Sequence, residues 1–377
     1  MTTPTALVVG GGIGGLTTAI ALRQAGWGVR VLEAAPEISA VGAGIILQPN
    51  AMTALESLGA AEPLSAAGVA VEGARITTVS GRLVGVVDVS EGVTWGVGIH
   101  RAKLQRILWD LAGPENVRTS ARVREFRLSD HGAVAVLESG EEVAGDVLVG
   151  ADGIHSTVRA QHLADGEPRY CGYTCWRGLT ERAGEFTRGE VFEIWGRGRR
   201  FGGMHVDERL YWFAPLNAPP GVRDEPGHAK ATLMEVYAGW PESVRRTIES
   251  TPESSIMRHD IVDRPFRSGW GRGRMTLLGD AAHPMAPDQG QGACQAIEDA
   301  VVLGRCLAED SDPAEALRRY ERRRLRRTRH FVRRSHAFGQ LVQLENAALR
   351  WLRDTALWAT PRWVVHRDLR RAHRFAP

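Results

Sequence analysis

The chain has 377 residues, is 43% hydrophobic and 24% charged, and carries a formal net charge of +3. That is an ordinary globular composition with room for two or three domain-sized units. So small a charge gives no reason to expect a nucleic-acid partner, and no apolar run reaches membrane-spanning length. The four cysteines, Cys171, Cys175, Cys294 and Cys306, make neither a disulfide framework nor a C-x-x-C zinc pattern. On one extended strand, Cys171 and Cys175 stand about 13 Å apart, beyond the roughly 7 Å limit of a bridge. No metal is expected, and a reducing, cytoplasmic setting is. The N-terminus lacks a basic segment and is needed as a strand, which argues against a signal peptide.

The chain opens with Leu7, Val8 and Val9, a short apolar run ending at Gly10. Gly10, Gly12 and Gly15 then stand at the spacing G-x-G-x-x-G, with Ile13 and Gly14 in the same turn. Ile13, Leu16 and Ile20 follow at helical spacing, and Val29, Val31 and Leu32 predict a second strand ending on Glu33. This is the dinucleotide fingerprint in its required strand–turn–helix–strand context. Gly10 permits the tight turn, Gly12 lets a pyrophosphate approach the backbone, and Gly15 lets helix and strand pack closely. Unpaired N–H groups and the partial positive charge of the helix N-terminus meet the phosphates. Glu33, followed by Ala34, lies about twenty residues on, where a carboxylate accepts from ribose hydroxyls. FAD and NAD share this handle, so the choice between them stays open here.

Next comes a glycine-bearing loop, residues 41–50 (VGAGIILQPN). It includes Gly44 and can cross a bound cofactor, and Asn50 is placed to cap a helix through Leu58. Residues 75–95 alternate like strands, with turns at Ser80-Gly81 and Glu91-Gly92. Residues 99–108 read as a helix with Leu104, Ile107 and Leu108 on its apolar face. Arg101, in its first turn, opposes the helix dipole; this fits either a bound anion or a solvated side chain. Residues 117–149 alternate as strands around a hairpin at Ser139-Gly140, then run into Asp152-Gly153, after which Ser156 can cap a short helix. Residues 166–264 are rich in aromatics and glycine turns, with one helix expected near 229–250. They predict an antiparallel sheet with a helix against it, a separate substrate-side unit.

The cluster Gly269–Gly273 precedes a strand and reads as a turn. A strand end at Gly279-Asp280, a loop from Pro284 to Gly292 and a helix with a small-residue face then make a second helix N-terminus able to meet an anion or a carbonyl oxygen. From Pro313 the chain reads as helical to about Arg353. The arginines of 320–334 read best as the solvated face of a long docking helix, in preference to a polyanion or membrane-surface contact. Leu341, Leu344, Leu349, Leu352 and Trp358 continue its apolar face.

Three separated stretches carry a family resemblance: Gly10–Gly15 with Glu33, residues 146–159 (DVLVGADGIHSTVR) and residues 274–300 (RMTLLGDAAHPMAPDQGQGACQAIEDA). In this order they resemble the single-component class A flavoprotein monooxygenases, the aromatic-hydroxylase family that includes salicylate and 4-hydroxybenzoate hydroxylases. The resemblance covers about residues 1–345. It implies an α/β fold, α+β overall. A Rossmann-like FAD-binding domain would span 1–72, 97–165 and 265–310, an interleaved β-sheet substrate domain 73–96 and 166–264, and a C-terminal region with a long helix 311–377. It also implies FAD as cofactor and NADH or NADPH as co-substrate. One atom of O₂ would enter an electron-rich aromatic or heteroaromatic small molecule through a flavin C4a-hydroperoxide, in a monomer or homodimer. By the same resemblance Glu33 holds the adenosine ribose, Arg101 meets the pyrophosphate side and Val123 lies beside the adenine. Asp152 and Gly153 serve the cofactor and nicotinamide-nucleotide use, and Asp280 binds the ribityl or pyrophosphate region. The backbone of Gly290, Gln291, Gly292, Ala293 and Cys294 lies against the isoalloxazine, and Pro287 begins the loop lining the oxygen pocket. The family often has Asn where Cys294 stands; a backbone contact survives that change and a side-chain contact does not.

Substrate contacts are expected from 166–264. Arg200 can pair with a phenolate, carboxylate or imide, Tyr211 can accept or relay a phenolic proton, His205 can act as a base, and Asp288 can bind a substrate N–H. Each of the first three has a structural alternative: an ion pair for Arg200, the core for Tyr211, a satisfied strand position for His205. Asp288, Arg200 and residues 170–178 (YCGYTCWRG) look like the urate-hydroxylase branch, whereas Arg177 is more typical of phenol and aromatic-acid hydroxylases. Competing readings are an FAD-dependent halogenase, although its W-x-W-x-I-P pattern is absent, or an FAD-dependent reductase. A plain NAD-dependent dehydrogenase would leave residues 274–300 unexplained. A polyanion-binding protein using the arginine-rich helix would bind in a salt-sensitive way.

Overall fold

In the computed structural model, which describes residues 3–37, 43–88, 95–181 and 186–376, the first apolar run becomes the central strand of a parallel sheet. Thr5–Val9 lies between Gly28–Leu32 and Val147–Gly150, with Val117–Arg118 and Met275–Leu277 at the two edges. A strand covered on both faces reads as a continuous apolar run, and Ala6, Leu7, Val8 and Leu148 are all fully buried. The crossover helix Ile13–Gln24 packs against Gly292–Glu309. Small residues permit that approach: a Cβ on Gly304 would lie 3.0 Å from Ala21 Cβ. Val123–Leu128, Ala133–Leu137 and Glu142–Gly145 make a separate antiparallel sheet, turned at Gly140 with φ +88°.

The strands Gly73–Thr78 and Leu83–Asp88 join those of 169–263 in one seven-stranded sheet. Its order is Met257–Asp263, Arg169–Thr180, Arg209–Asn217, Arg200–Val206, Glu190–Trp195, Gly73–Thr78, Leu83–Asp88. Only the Glu190–Trp195 and Gly73–Thr78 pair is parallel. Side chains alternate along a strand. One face packs Trp176, Phe201 and Trp212 with Leu233, Tyr237, Val244 and Ile248 of the segment 229–250. The other face carries Tyr173, Arg177, Arg200 and Tyr211.

Several local expectations need correction. The helix expected over 229–250 is two, Ala229–Val236 and Glu242–Ser250, parted at Pro241, whose ring and missing N–H end a helix. Asn50 is not a cap: the helix is Pro49–Glu56, with Pro49 in the first turn where a missing N–H is harmless. The amide of Asn50 is instead buried against Gln291 and Glu298. Val97–His100 is a strand, and the helix after it is Arg101–Ala112. The helix from Pro313 ends at Val342, and Ala347–Trp358 and Arg362–His373 follow separately, the first capped by Asn346. The turn at Glu91-Gly92 and the first two residues of the 41–50 loop lie outside the described residues.

The arginine-rich helix also differs from expectation, because part of it faces inward. Arg324 is 2% exposed. Its Nε donates to Asp299 Oδ1 at 2.6 Å and its Nη1 to Glu298 Oε2 at 2.5 Å. Arg327 adds two bonds to Glu298, at 2.6 and 2.7 Å. His283 Nε2 lies 2.6 Å from Asp299 Oδ2, and the Gly279 N–H donates to the same oxygen at 3.0 Å. Burial alone would raise the Asp299 pKa, but His283 and Arg324 outweigh it and hold it at about 2. A depressed carboxyl adds stability in full above its ordinary pKa of about 4. That stability is lost as pH falls through about 2. Asp299→Asn strips counter-charge from a buried arginine and should lower the unfolding free energy by about 3–5 kcal/mol, measured by urea denaturation at neutral pH. A loss below about 1 kcal/mol would show that Glu298 alone neutralises the cluster.

Candidate functional site

The glycines of the first turn do three different things. Gly10 sits at φ +102°, and a Cβ there would lie 2.6 Å from the Ala151 carbonyl oxygen. A Cβ on Gly15 would lie 1.9 Å from the Gly10 oxygen, so helix and strand touch only because it has none. Gly14 is closed too, with Leu278 at 2.9 Å. Gly12 is open: among the described residues nothing lies within 4 Å of its Cβ position, and no side chain caps the helix that begins at Ile13. The carboxylate of Glu33 accepts from Gly11 N–H at 2.6 Å and from Ala35 N–H at 2.7 Å, with Ala34 half-buried between. It is therefore held at the loop before any ligand arrives. Gln105 Nε2 donates to Gly11 O at 2.9 Å and ties the helix Arg101–Ala112 to the same loop. Arg101, the first residue of that helix, is exposed, and its backbone N–H donates to Ala43 O at 3.1 Å. Val123 is 5% exposed with its side chain in the core, which leaves only its backbone for a ligand.

Asp152 turns inward. Its carboxylate takes the Ser156 hydroxyl and the backbone N–H groups of Thr157 (2.8 Å) and Val158 (3.2 Å). Ser156 in turn caps the helix Thr157–Leu163 by accepting from Arg159 N–H at 2.8 Å. Burial raises the Asp152 pKa, and these bonds oppose it. Gly153 has φ +80° and open space at its Cβ position. Arg159, 1% exposed, pairs with Asp165 and donates to the Ala281 and Ala282 carbonyls, both at 2.9 Å. The second motif thereby holds the third.

In the third motif Asp280 keeps an exposed side chain although protein packs closely around it. That enclosure raises its pKa, while His283 and Arg101 oppose the rise. Gly292 begins the helix Gly292–Glu309, which no side chain caps, and its Cβ position lies 3.7 Å from Asp280 Oδ1. Gly290 takes φ +62°. Gln291 is 2% exposed and donates to Gln48 Oε1 at 2.6 Å. Gln48 Nε2 donates to Gln289 O at 2.7 Å, and His373 Nε2 lies 3.1 Å from Gln48 Oε1. Ala293 is half-buried. Cys294 is fully buried, its thiol toward Ile46 O (3.8 Å) and Gly290 O (3.5 Å) and pushed by burial to about 12. Only its backbone remains for a cofactor, so the departure from Asn removes no side-chain contact here.

On the substrate side Pro287 is exposed at the start of the turn Pro287–Gln289. Asp288 is enclosed: it pairs with Arg200 through one oxygen and accepts from the Tyr173 hydroxyl at 2.5 Å through the other. Gly339 of the long helix closes over it. Arg200, 3% exposed, also pairs with Glu193 at 3.1 Å. Burial opposes its charge, but Glu193 and Asp288 outweigh burial and raise its pKa. Tyr211 packs its ring on Gly44, where a Cβ would lie 2.5 Å from Tyr211 Cγ. Burial pushes the Tyr211 hydroxyl to about 12, with Arg177 opposing. Arg177 is half-buried; burial opposes its charge, the neighbouring Tyr211, Cys175 and Tyr173 raise its pKa, and no carboxylate pairs with it among the described residues. Met204, Val206 and Tyr211 form an apolar wall with Ile46, Leu179 and Phe213. His205 stands five residues from Arg200 on one strand and so points to the other face, which removes it from this group.

Cys171, Asp263 and His336 also converge, but the Arg169 guanidinium fills the Asp263 carboxylate at 2.9 and 3.0 Å. Sequence reasoning missed Tyr173 and Glu193 as the partners of Asp288 and Arg200. Strand alternation through 173, 175 and 177 was the available signal for Tyr173; Glu193 had none.

The family described as "FAD binding domain" matches residues 3–335. The chain is 43% identical to the aurachin C monooxygenase/isomerase of Stigmatella aurantiaca over 99% of this chain and 98% of that one. It is 34% identical to the FAD-dependent urate hydroxylase of Klebsiella pneumoniae over 93% of this chain and 94% of that one. The crystal structure of Klebsiella pneumoniae HpxO complexed with FAD and uric acid superposes with a TM-score of 0.92 at 30% identity, covering 98% of this chain and 96% of that one. The residues present fit FAD. Gly12 leaves room against an uncapped helix end, Glu33 is fixed beside it, and Arg101 lies close enough to Asp280 to act on its charge.

Gly12→Ala tests that fit without disturbing the apoprotein. Its stability should stay within about 0.5 kcal/mol, while FAD affinity falls about tenfold or more, read by fluorescence titration of the apoprotein. Equal affinity would place the phosphates elsewhere. The chain belongs to the FAD-dependent monooxygenases of the flavoprotein aromatic-hydroxylase family, with FAD as its cofactor.

Proposed function

We propose that this chain is an NAD(P)H-consuming hydroxylase that inserts one atom of O₂ into an electron-rich heteroaromatic ring of a largely apolar substrate bearing one acidic oxygen. The observation that carries this reading is Arg177, a cation without a carboxylate partner among the described residues, beside Tyr211 on the sheet face with the apolar wall. Bound FAD supplies the electron transfer from the nicotinamide nucleotide and the activation of O₂. Glu33 would accept from the ribose, the Gly12 helix end and Arg101 would take the phosphates, and Asp280 would meet the ribityl side. The backbone of 290–294 would serve the flavin ring, and Val123 would offer backbone to the adenine.

Arg177 pairs with the substrate oxygen and holds it ionised, which makes the ring electron-rich. Tyr211, still protonated at neutral pH, donates to the same oxygen. Arg200 and Asp288 take a different role from the one expected. One guanidinium between two carboxylates leaves a net negative cluster, unsuited to an anionic substrate. They act as positioning residues that pin the Pro287–Gln289 turn to the sheet. In this reading the flavin unit is 1–72, 97–165 and 265–310, and the substrate unit is 73–96 and 166–264, in a monomer or homodimer.

The aurachin C enzyme is the more similar of the two named relatives. The apolar wall also favours such a substrate over uric acid, which would leave polar edges unpaired there. Uric acid remains the second reading, favoured by the superposition on the structure that holds it.

Aerobic NADH and NADPH oxidation should be measured with aurachin C, urate, phenolic acids and quinolones. Aurachin C or a related compound should speed oxidation and gain one oxygen atom, and urate should not; the reverse selects the second reading. Arg177→Gln should raise KM about thirtyfold, the worth of a charge-assisted hydrogen bond near 2 kcal/mol, with FAD retained. Arg200→Gln should lower kcat more than it raises KM. An exchange of these two phenotypes would return Arg200 to the substrate.

A further inference from the structure

The helix Ala347–Trp358 carries its charge inward and its apolar side chains outward. Arg353 and Asp354 are 5% and 6% exposed. They pair with each other at 2.7 Å. Arg353 also donates to the Leu341 and Val342 carbonyls and lies over the Trp195 ring, and Asp354 pairs with Arg82. These contacts fasten the helix to Arg82 in the turn of the 73–88 hairpin, to Trp195 of the seven-stranded sheet and to the end of the long helix. Leu349, Trp351, Leu352 and Trp358 are 50%, 62%, 58% and 66% exposed, and Ala348 and Ala356 are exposed with them. With 3.6 residues per turn, these positions fill the half of the helix opposite the Arg353–Asp354 pair. An amphipathic helix of a globular protein presents the reverse arrangement, and so much outward indole and leucine marks an interaction surface. The expected apolar continuation of the long helix is therefore real as a pattern but faces solvent, because the buried side is already held by charge.

The next helix, Arg362–His373, extends the surface. Trp363 is 62% exposed, and Arg362, Arg367, Arg370 and Arg371 are exposed around it. Residues 341–377 hold seven arginines against three acids, Glu345, Asp354 and Asp368. Of these acids, Asp354 and Asp368 are already paired.

We propose that this face docks on the surface of an anionic lipid bilayer. The two helices lie in the interface plane, with the Trp and Leu side chains among the headgroups and the arginines on lipid phosphates. Charge complementarity selects this occupant. A second copy meeting the same face about a two-fold axis would set one arginine-bearing helix against another. No helix among the described residues is long and apolar enough to cross a membrane, so the contact is peripheral. The expectation of no membrane partner weighed only spanning runs and the arginines of 320–334; this surface is built from 347–374.

The test is flotation of the FAD-loaded full chain with vesicles of phosphatidylcholine alone and of an equal mixture with phosphatidylglycerol. The protein should float with the mixed vesicles. Trp351→Ser/Trp358→Ser should cut that binding about tenfold or more. Arg370→Gln/Arg371→Gln should cut it about fivefold per arginine at low salt. FAD content and NADH oxidation in solution should be unchanged in both, which separates a docking role from misfolding. Failure of the native protein to float with mixed vesicles, or equal flotation of the tryptophan variant, overturns the proposal. So does a native dimer that the tryptophan variant dissociates in sedimentation, which would assign the face to a second copy.

Discussion

Two adjacent carboxylates, Glu298 and Asp299, are fully buried in the helix Gly292–Glu309, and the flavin side of the molecule depends on keeping them neutralised. Removing an ion from water costs several kcal/mol unless its partners are in place. Here they come from three elements: Arg324 and Arg327 of the long helix, His283 and the Gly279 N–H of the third motif, and Asn50 of the helix Pro49–Glu56. Satisfying all of them leaves one arrangement of these elements. That arrangement sets Asp280 beside the uncapped Gly292 helix end.

The flavin loop is held by the same logic on its outer side. Asp288 is taken by Arg200 and Tyr173 of the seven-stranded sheet, and Gln289 and Gln291 by Gln48. Gln48 is reached in turn by His373 from the last described helix. The loop is thus fixed by side chains from the sheet and from elements on either side of it. Arg177 and Arg200 show how context assigns a role. Both are arginines on one sheet face. One meets two carboxylates, while the other, among the described residues, meets phenols and a thiol and no carboxylate.

The glycines of the first turn make the same point at the backbone. Gly10, Gly14 and Gly15 are closed by protein atoms, and Gly12 by nothing among the described residues. Three of the four positions build the turn, and the fourth keeps a place for a ligand. A single motif therefore contains both a packing requirement and a binding requirement.

Chain order and local pattern determined much of this protein. The apolar run, the glycine spacing and Glu33 specified the dinucleotide unit. The second and third motifs specified the family. Strand alternation offered Tyr173 and Arg177 as one side of their strand, a signal left unread, and only the sheet register set Tyr211 on the same face. These features are legible because they are set by neighbours within a few residues, through periods of two and 3.6 and the φ values only glycine takes readily. Tertiary structure alone decided the rest. Whether Arg200 meets substrate or Asp288, 88 residues away, is invisible to periodicity. So is whether Arg324 is solvated or paired with Asp299, 25 residues back. The helix Ala347–Trp358 makes the limit plain: its pattern predicts an amphipathic helix correctly, but pattern carries no sign for inside and outside. The ion pair of Arg353 and Asp354 beneath it decides which half faces water.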